Sequence, residues 1–420
     1  MRDINNVKGT RRLSLYSNIF DHPDMKDAHI FELSNSPYKA QFYDGSFHFE
    51  SNTKKIGIVD QFQGKRPAVL NREFVVERKE LQFYIVHTLI LDSHIVDGLH
   101  RFISGKGKLD IDTRVVTIDF LKHVSQLNCD YSPMFYLAEN MAKSSKEQFL
   151  KTSSEKLASV LRLHCMEESS FVENEEIKYK KEALDHYYDL YGASNLDDCG
   201  ANWAKSLVDA QELKYYIDLT RVSYACLLKM VLIHFMNPAI NEKNILAKNK
   251  EFETFLTSEL NILMAREVNL ALYYFSNFAG KFVNVQPNMS FAKAVKNLKA
   301  TAWDLLLLRL PEFLLTPSNL PEINTAYIVS SEEKLLSVGD MFNLESIFYS
   351  DLKSNASPKL SFNAEIFEPV ISKGKLDAVF RDREHLSIRR LQENLAAPIS
   401  DSKLNWLIED LENQLKYLCA

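Results

Sequence analysis

Apolar and polar positions alternate in AQFYDGSFHFES, where Phe47 and Phe49 fall on one face and Ser46 and His48 on the other. Asp44-Gly45 between the two aromatic runs predicts a hairpin turn, so residues 1–80 read as β-rich or irregular. The run LQFYIVHTLILD then predicts a buried strand from Leu81 to Asp92, and helix-like SHIVDGLHRFI follows at once. Leu109 to Thr117 reads as a loop or short strand, and Val115 to Leu127 carries apolar residues at helical spacing. Ser132 as cap and Pro133 in the first turn predict a helix over Met134 to Phe149.

From Ser153 to Phe282 the 3.6-residue period runs almost unbroken, with the acidic stretch Glu167 to Glu176 as a solvated connector. Phe291 to Leu315 is again helical. Asn324 to Ser330 is a short buried strand, Ser331 to Lys334 a polar turn, and Leu344 to Tyr349 a further strand. The chain closes on the amphipathic helix SKLNWLIEDLENQLKYL, capped by Ser402 or Asp401. No internal repeat is visible.

Composition narrows the class. The 420 residues are 46% hydrophobic and 25% charged, ordinary for a globular chain of two or three domains. No apolar run reaches the roughly 18 residues of a membrane span; Ala225 to Phe235 is shorter and holds Lys229 and His234. MRDINNVKGTRR has no apolar stretch after its basic residues, so nothing supports a signal peptide. Five scattered cysteines without a CxxC pair argue against a zinc ribbon and fit a reducing cytoplasm. A net charge of −6 confines any nucleic-acid contact to a local basic surface. The absence of HExxH and of a Gly-rich phosphate loop disfavours zinc proteases, P-loop ATPases and Rossmann enzymes. His94 and His100 are six apart and do not share a helix face; Cys129 with His123 has no third partner.

Four acids carry the candidate chemistry. Asp92 closes a strand, Glu139 sits within a helix, Asp304 lies in the apolar helix ATAWDLLLLRL, and Glu332 follows the strand AYIVSS. If the two strands are parallel neighbours, Asp92 and Glu332 meet at their carboxyl ends, where ligands gather in such sheets. Asp304, one helix before the second strand, reaches the same edge through a crossover. Clustered carboxylates persist mainly by binding hard cations such as Mg²⁺ or Mn²⁺, and the implied chemistry is phosphodiester hydrolysis. Each acid also has a plainer reading: Asp92 as a helix cap, Glu139 as a solvated helix residue, Asp304 paired with Arg309 or Lys299, Glu332 as a turn acid.

The residues around these acids resemble those of PIN-domain nucleases. LILDSHIVDGLHRFI is similar to the family's opening strand, Asp and helix, and SPMFYLAENMAKS to the helix bearing its intermediate acid. AWDLLLLRLPEFLL with AYIVSSEEKLL is similar to its closing section, with Ser330 in the place of the family's Thr/Ser and Glu332 where the family has Asp. The resemblance covers about a third of the chain, residues 81–150 and 285–350. It implies an α/β fold, a parallel sheet flanked by helices. To this are added an all-α insertion over 151–284, the β-rich region 1–80 and a C-terminal helical extension over 351–420.

The resemblance further implies a Mg²⁺- or Mn²⁺-dependent nuclease, with Asp92, Glu139 and Asp304 on the metal and Glu332 as a fourth, outer acid. RNA or single-stranded nucleic acid is the expected substrate, in a toxin or antiviral effector with an antitoxin or sensor subunit as partner. The alternative is a catalytically degenerate scaffold or subunit of a defence complex. Lys293, Lys296 and Lys299 at i, i+3, i+6, with Lys143 after Glu139, would track phosphates, unless they form an ordinary solvated face. Arg381, Arg383, Arg389 and Arg390 form a further basic cluster.

Overall fold

A computed structural model of the chain describes residues 28–34, 47–62, 66–79, 82, 84–127, 129–315, 321–338, 341–350, 355–361, 364–392 and 399–419. The Asp44-Gly45 turn lies outside them. The chain is a mixed α/β protein. The described residues form two sheets from nine strands: β1 Ala28–Ser34, β2 Phe47–Glu50, β3 Lys55–Val59, β4 Arg66–Leu70, β5 Tyr84–Leu91, β6 Asp130–Ser132, β7 Glu322–Ser330, β8 Asn343–Ser350 and β9 Asn355–Ser361. The central sheet runs β2-β3-β7-β5-β6 and the second β4-β1-β8-β9.

The expected parallel sheet is only partly parallel. β7, β5 and β6 are parallel, but β3 joins β7 antiparallel and β2 joins β3 antiparallel. The β2–β3 hairpin turns through Ser51 to Lys54, where Ser51 N–H donates to the Lys54 carbonyl at 2.9 Å. The second sheet is antiparallel throughout and joins residues from both ends of the chain, β1 pairing with β8.

β5 begins at the exposed Tyr84 and ends with Leu89, Ile90 and Leu91 fully buried, as the central strand of a sheet covered on both faces should. Register pairs Leu91 with Val329 and Ile90 with Ser132. The residues that follow β5, β6 and β7 therefore emerge at one edge. The helix Ser93–Ser104 starts there, buries Ile95, Val96 and Leu99 on one stripe, and stops at Gly105, whose φ of 65° is left-handed.

Several local expectations are corrected. From Ile111 to Thr117 the chain is not loop or strand but the start of the helix Ile111–Ser125, whose N-cap Asp110 accepts from Thr113 N–H at 2.8 Å. The helix after Pro133 ends at Lys143, and Ser145 caps a new one over Lys146–His164; Pro133 itself is the N-cap and offers no side-chain bond. The acidic stretch after Cys165 holds a helix, Glu168–Asn174, that buries Phe171. Glu333–Val338 is helical as well, and the last helix is capped by Ser400.

Gln211–Met236 is long and apolar enough to cross a membrane by length and composition, but two-thirds of its apolar window (67%) is buried inside the fold. It packs against Phe291–Leu314, Asp401–Leu418 and Met134–Lys143. Near it lies a buried ionic quartet. Arg309 Nη2 donates to both oxygens of Glu267 at 2.8 and 2.6 Å, and Ser223 Oγ donates to Glu267 at 2.6 Å. Arg266 pairs with Glu312 and donates to Gln61 Oε1 at 3.0 Å, which ties the chain after β3 to the helical body. The pairing of Arg309 with Glu267 removes it from Asp304. Of the further basic cluster, Arg383 is buried, bonded to Asn249 and Asn269 and paired with Glu253.

Candidate functional site at the acidic sheet edge

Asp92 stands one residue past β5, with φ −63° and ψ 155°, and is only 6% exposed. Its Oδ1 accepts from Ser93 N–H at 2.6 Å, so the capping role is real. Its Oδ2 accepts from Ser330 Oγ at 2.6 Å, across to the end of β7. The parallel pairing of β5 and β7 creates this contact between residues far apart in sequence. Ser330 Oγ also accepts from Glu332 N–H at 3.1 Å, which fixes the turn that carries Glu332.

Glu332 lies 3.5 Å from His94 Nε2, on the first turn of the helix that Asp92 caps. Glu139 comes from the helix Met134–Lys143, which packs on β5, and its Oε2 accepts from Ser93 Oγ. Lys143, one turn on, pairs with Glu139, so its ammonium is engaged by an acid of the cluster. Asp304 projects from Phe291–Leu314, which lies against β7, and its Oδ2 meets Lys334 Nζ at 3.1 Å. Lys334 also donates to Thr301 Oγ1 at 3.1 Å and stands over the Phe282 ring at 4.8 Å.

The electrostatics follow from this crowding. Burial pushes the Asp92 carboxyl up to about 6 despite the Ser330 hydrogen bond, and the Glu332 charge adds to the rise. Burial also raises Asp304 to about 6; Lys334 opposes the rise, while Glu332 and Asp92 add to it. Glu332 is held below the usual carboxylate range, first by the His94 hydrogen bond, with His94 and Lys143 charge contributing. His94 is raised in turn by its bond to Glu332.

The fold thus links Asp92, Glu139 and Glu332 through Ser93, Ser330 and His94, while Asp304 is bonded to Lys334 and joins the other acids only through charge. It does not bring the three lysines of the long helix to these acids. Lys293 and Lys296 lie roughly 16 and 12 Å down the axis from Asp304, and Lys299 is turned about 140° around the helix from it. Lys299 instead lies 3.7 Å from Glu412 and stands over the Tyr224 ring. Nor is Asp304 paired with Lys299 or Arg309; its cation is Lys334. Ser93, His94, Thr301 and Lys334 escaped the sequence reading as site residues. A serine and a histidine after a strand-end Asp read as an ordinary helix start. Nothing in SSEEK signals that its lysine reaches back thirty residues.

The donor set is all carboxylate and hydroxyl oxygen, the chemistry that Mg²⁺ and Mn²⁺ take. Two of its acids are desolvated without an arginine beside them, which fits an added cation. Among the described residues, no three His, Cys, Asp or Glu side chains are arranged closely enough to hold a metal ion as they stand. No family model matches the chain, and no curated protein or solved structure matches it.

Proposed function

We propose that the protein is a PIN-like, Mg²⁺- or Mn²⁺-dependent nuclease that hydrolyses phosphodiester bonds, RNA before DNA, in the reducing cytoplasm as a toxin or antiviral effector. The observation that carries this reading is that Asp92 and Glu332 meet through Ser330 at the carboxyl edge of parallel strands, with Glu139 on Ser93 beside them and the buried Asp304 near enough to be raised by their charge. Asp92, Asp304 and Glu139 would hold the ion, with Glu332 behind them. When bound, the ion supplies Lewis acidity toward a phosphate and charge balance for the buried acids.

The chain's own residues prepare the edge. Ser330 and the Ser93 amide fix both oxygens of Asp92, and Ser93 Oγ holds Glu139 toward the same place. His94, 68% exposed at the rim, has its Nε2 turned to Glu332, which leaves Nδ1 as the nitrogen that would donate to a phosphate oxygen. All five cysteines are free thiols, in keeping with a reducing compartment.

A second reading, a degenerate PIN-like scaffold in a defence complex, is favoured by the Lys334–Asp304 pair, in which an ammonium already serves one of the acids. Cleavage of RNA, tRNA and single-stranded DNA with Mn²⁺ separates the two. The nuclease reading expects metal-dependent cleavage that falls at least about 100-fold in Asp92→Asn and in Asp304→Asn. Wild-type protein without cleavage, or variants that cleave equally well, would sink it.

A further inference from the structure

A partly enclosed cavity of about 110 Å³ lies beside the first residue of β6, at the opposite end of that strand from the acidic edge. The ends of Ile111–Ser125 and Lys146–His164 close it, with Glu168 and Tyr187 from the next two helices. One water needs roughly 10–15 Å³ of such space, so there is room for a small molecule.

Its polar lining accepts hydrogen bonds and offers few. Lys180 Nζ is engaged by both oxygens of Glu168, at 2.9 and 3.0 Å. His164 Nε2 lies 3.1 Å from the Tyr131 carbonyl oxygen, and its Nδ1 lies 2.8 Å from Tyr187 Oη. The Tyr131 N–H is farther from Nε2, at 3.4 Å. A carbonyl can only accept, so Nε2 carries the proton and Nδ1 accepts from the Tyr187 hydroxyl. Tyr187 Oη is then left with its lone pairs alone. Ser125 Oγ is shut off from solvent and has no hydrogen-bond partner among the described residues. Burial pushes the Cys129 thiol and the Tyr187 hydroxyl each up to about 12, so neither ionises near neutral pH. Burial lowers His164, which stays uncharged there.

Charge points the same way. Glu168 and Lys180 cancel, and Asp130, exposed at the mouth, leaves the lining with a net negative charge. Two helices end at Ser125 and His164, and helix carboxyl ends carry partial negative charge. Val124, Leu163 and Met166 supply apolar wall.

We propose that this cavity is a binding site for a small organic ammonium ion, a short alkyl chain bearing a charged amine. An ammonium brings three donors and no acceptor, the complement of this lining. Ser125 Oγ, Tyr187 Oη and the Asp130 carboxylate are the acceptors for its N–H groups, and its carbons meet the apolar wall. An anion would face the Asp130 charge, and a neutral alcohol would leave that charge unanswered. The site stands apart from the metal-dependent reading, because Glu139 follows the carboxyl end of β6 and the cavity opens at its start.

Calorimetric titration of the full-length protein with methylammonium and ethanolammonium tests this, with ethylene glycol and glycolate as neutral and anionic counterparts. At least one ammonium ion is expected to bind saturably, about tenfold or more tightly than either counterpart. Asp130→Asn, at an exposed position, should weaken that binding about threefold or more, and so should Ser125→Ala. Glu168→Gln, which leaves Lys180 without its carboxylate, should weaken it too and let glycolate gain. Absence of saturable ammonium binding, or equal binding of ethylene glycol or glycolate, overturns the proposal. So does ammonium binding that survives all three substitutions; its loss in Glu332→Gln would then place the ion on the acidic edge. The ranking of ligands on the wild-type protein needs no variant, and a thermal melt of each variant checks that it folds.

Discussion

Two acidic clusters in this chain solve the same problem in opposite ways. In the helical body, Glu267 and Glu312 are buried against Arg309 and Arg266, one guanidinium to each carboxylate, with Ser223 and Gln61 taking further hydrogen bonds. At the sheet edge, Asp92, Glu139, Asp304 and Glu332 share two lysines and a histidine, and Asp92 has hydroxyl and amide donors alone. The first cluster closes its charge within the fold and reads as structural. The second leaves negative charge over, which is the condition for recruiting something from outside. Buried acid by itself therefore says little about function; the count and kind of its cations decide.

The sharpest way to break that contrast is to make the first cluster resemble the second. Arg309→Met strands Glu267 without its bidentate partner, and the expected loss of stability is about 3–5 kcal/mol in urea unfolding. A loss under about 1 kcal/mol would mean that the quartet is no more closed than the edge.

The opposite change at the edge should stabilise. The raised Asp92 pKa means that the folded state keeps a proton that the unfolded chain releases between about pH 4 and 6. Stability therefore falls as pH rises through that window, and the ionised carboxylate weighs on the fold above it. Asp92→Asn keeps a capping side chain, and in metal-free buffer it should gain about 1–2 kcal/mol at pH 7.5 and almost nothing below pH 4. Destabilisation at pH 7.5 would show that the carboxylate is needed by the fold rather than tolerated by it.

The smallest effect concerns the helix face that lies outside both clusters. Lys299 pairs with Glu412 at 3.7 Å and is 58% exposed. Lys299→Ala should cost no more than about 0.5 kcal/mol by thermal unfolding and leave Mn²⁺ affinity within roughly twofold. A large drop in metal affinity would extend the acidic edge further along that helix than its geometry places it.

What the sequence revealed about these clusters follows from the range of the interactions. Asp92 was legible because a buried strand that ends on an acid is a local pattern. The approach of Glu332 was legible because two short apolar strands pair readily in parallel. The partners of each acid were not. Lys334 reaches Asp304 across a turn that reads as solvent-exposed, and Arg309, five residues past Asp304 in the same helix, turns away to a different acid. Arg383 reads in the sequence as one member of a basic cluster and is buried, because Glu253 and two asparagines wait for it on other helices.

Strand partners were hidden for a similar reason. The hydrophobic alternation around Phe47 marks a strand, yet nothing in it says that β3 will continue the central sheet or that β1 will cross to β8. The helix over Ile111–Ser125 was obscured at its start, where Leu109 to Thr117 carries β-branched residues that fit a strand locally. Its cap at Asp110 was the available cue.

The hydrogen bond between Ser330 and Asp92 closes a separation of 238 residues. During synthesis at ~5–20 residues per second, Asp92 is made roughly 12–48 s before its partner is. A nascent chain thus carries the first acid long before it can carry a site. Whatever the acidic edge does, it is withheld until β7 pairs with β5, and a chain cut short anywhere in the helical body is born without it.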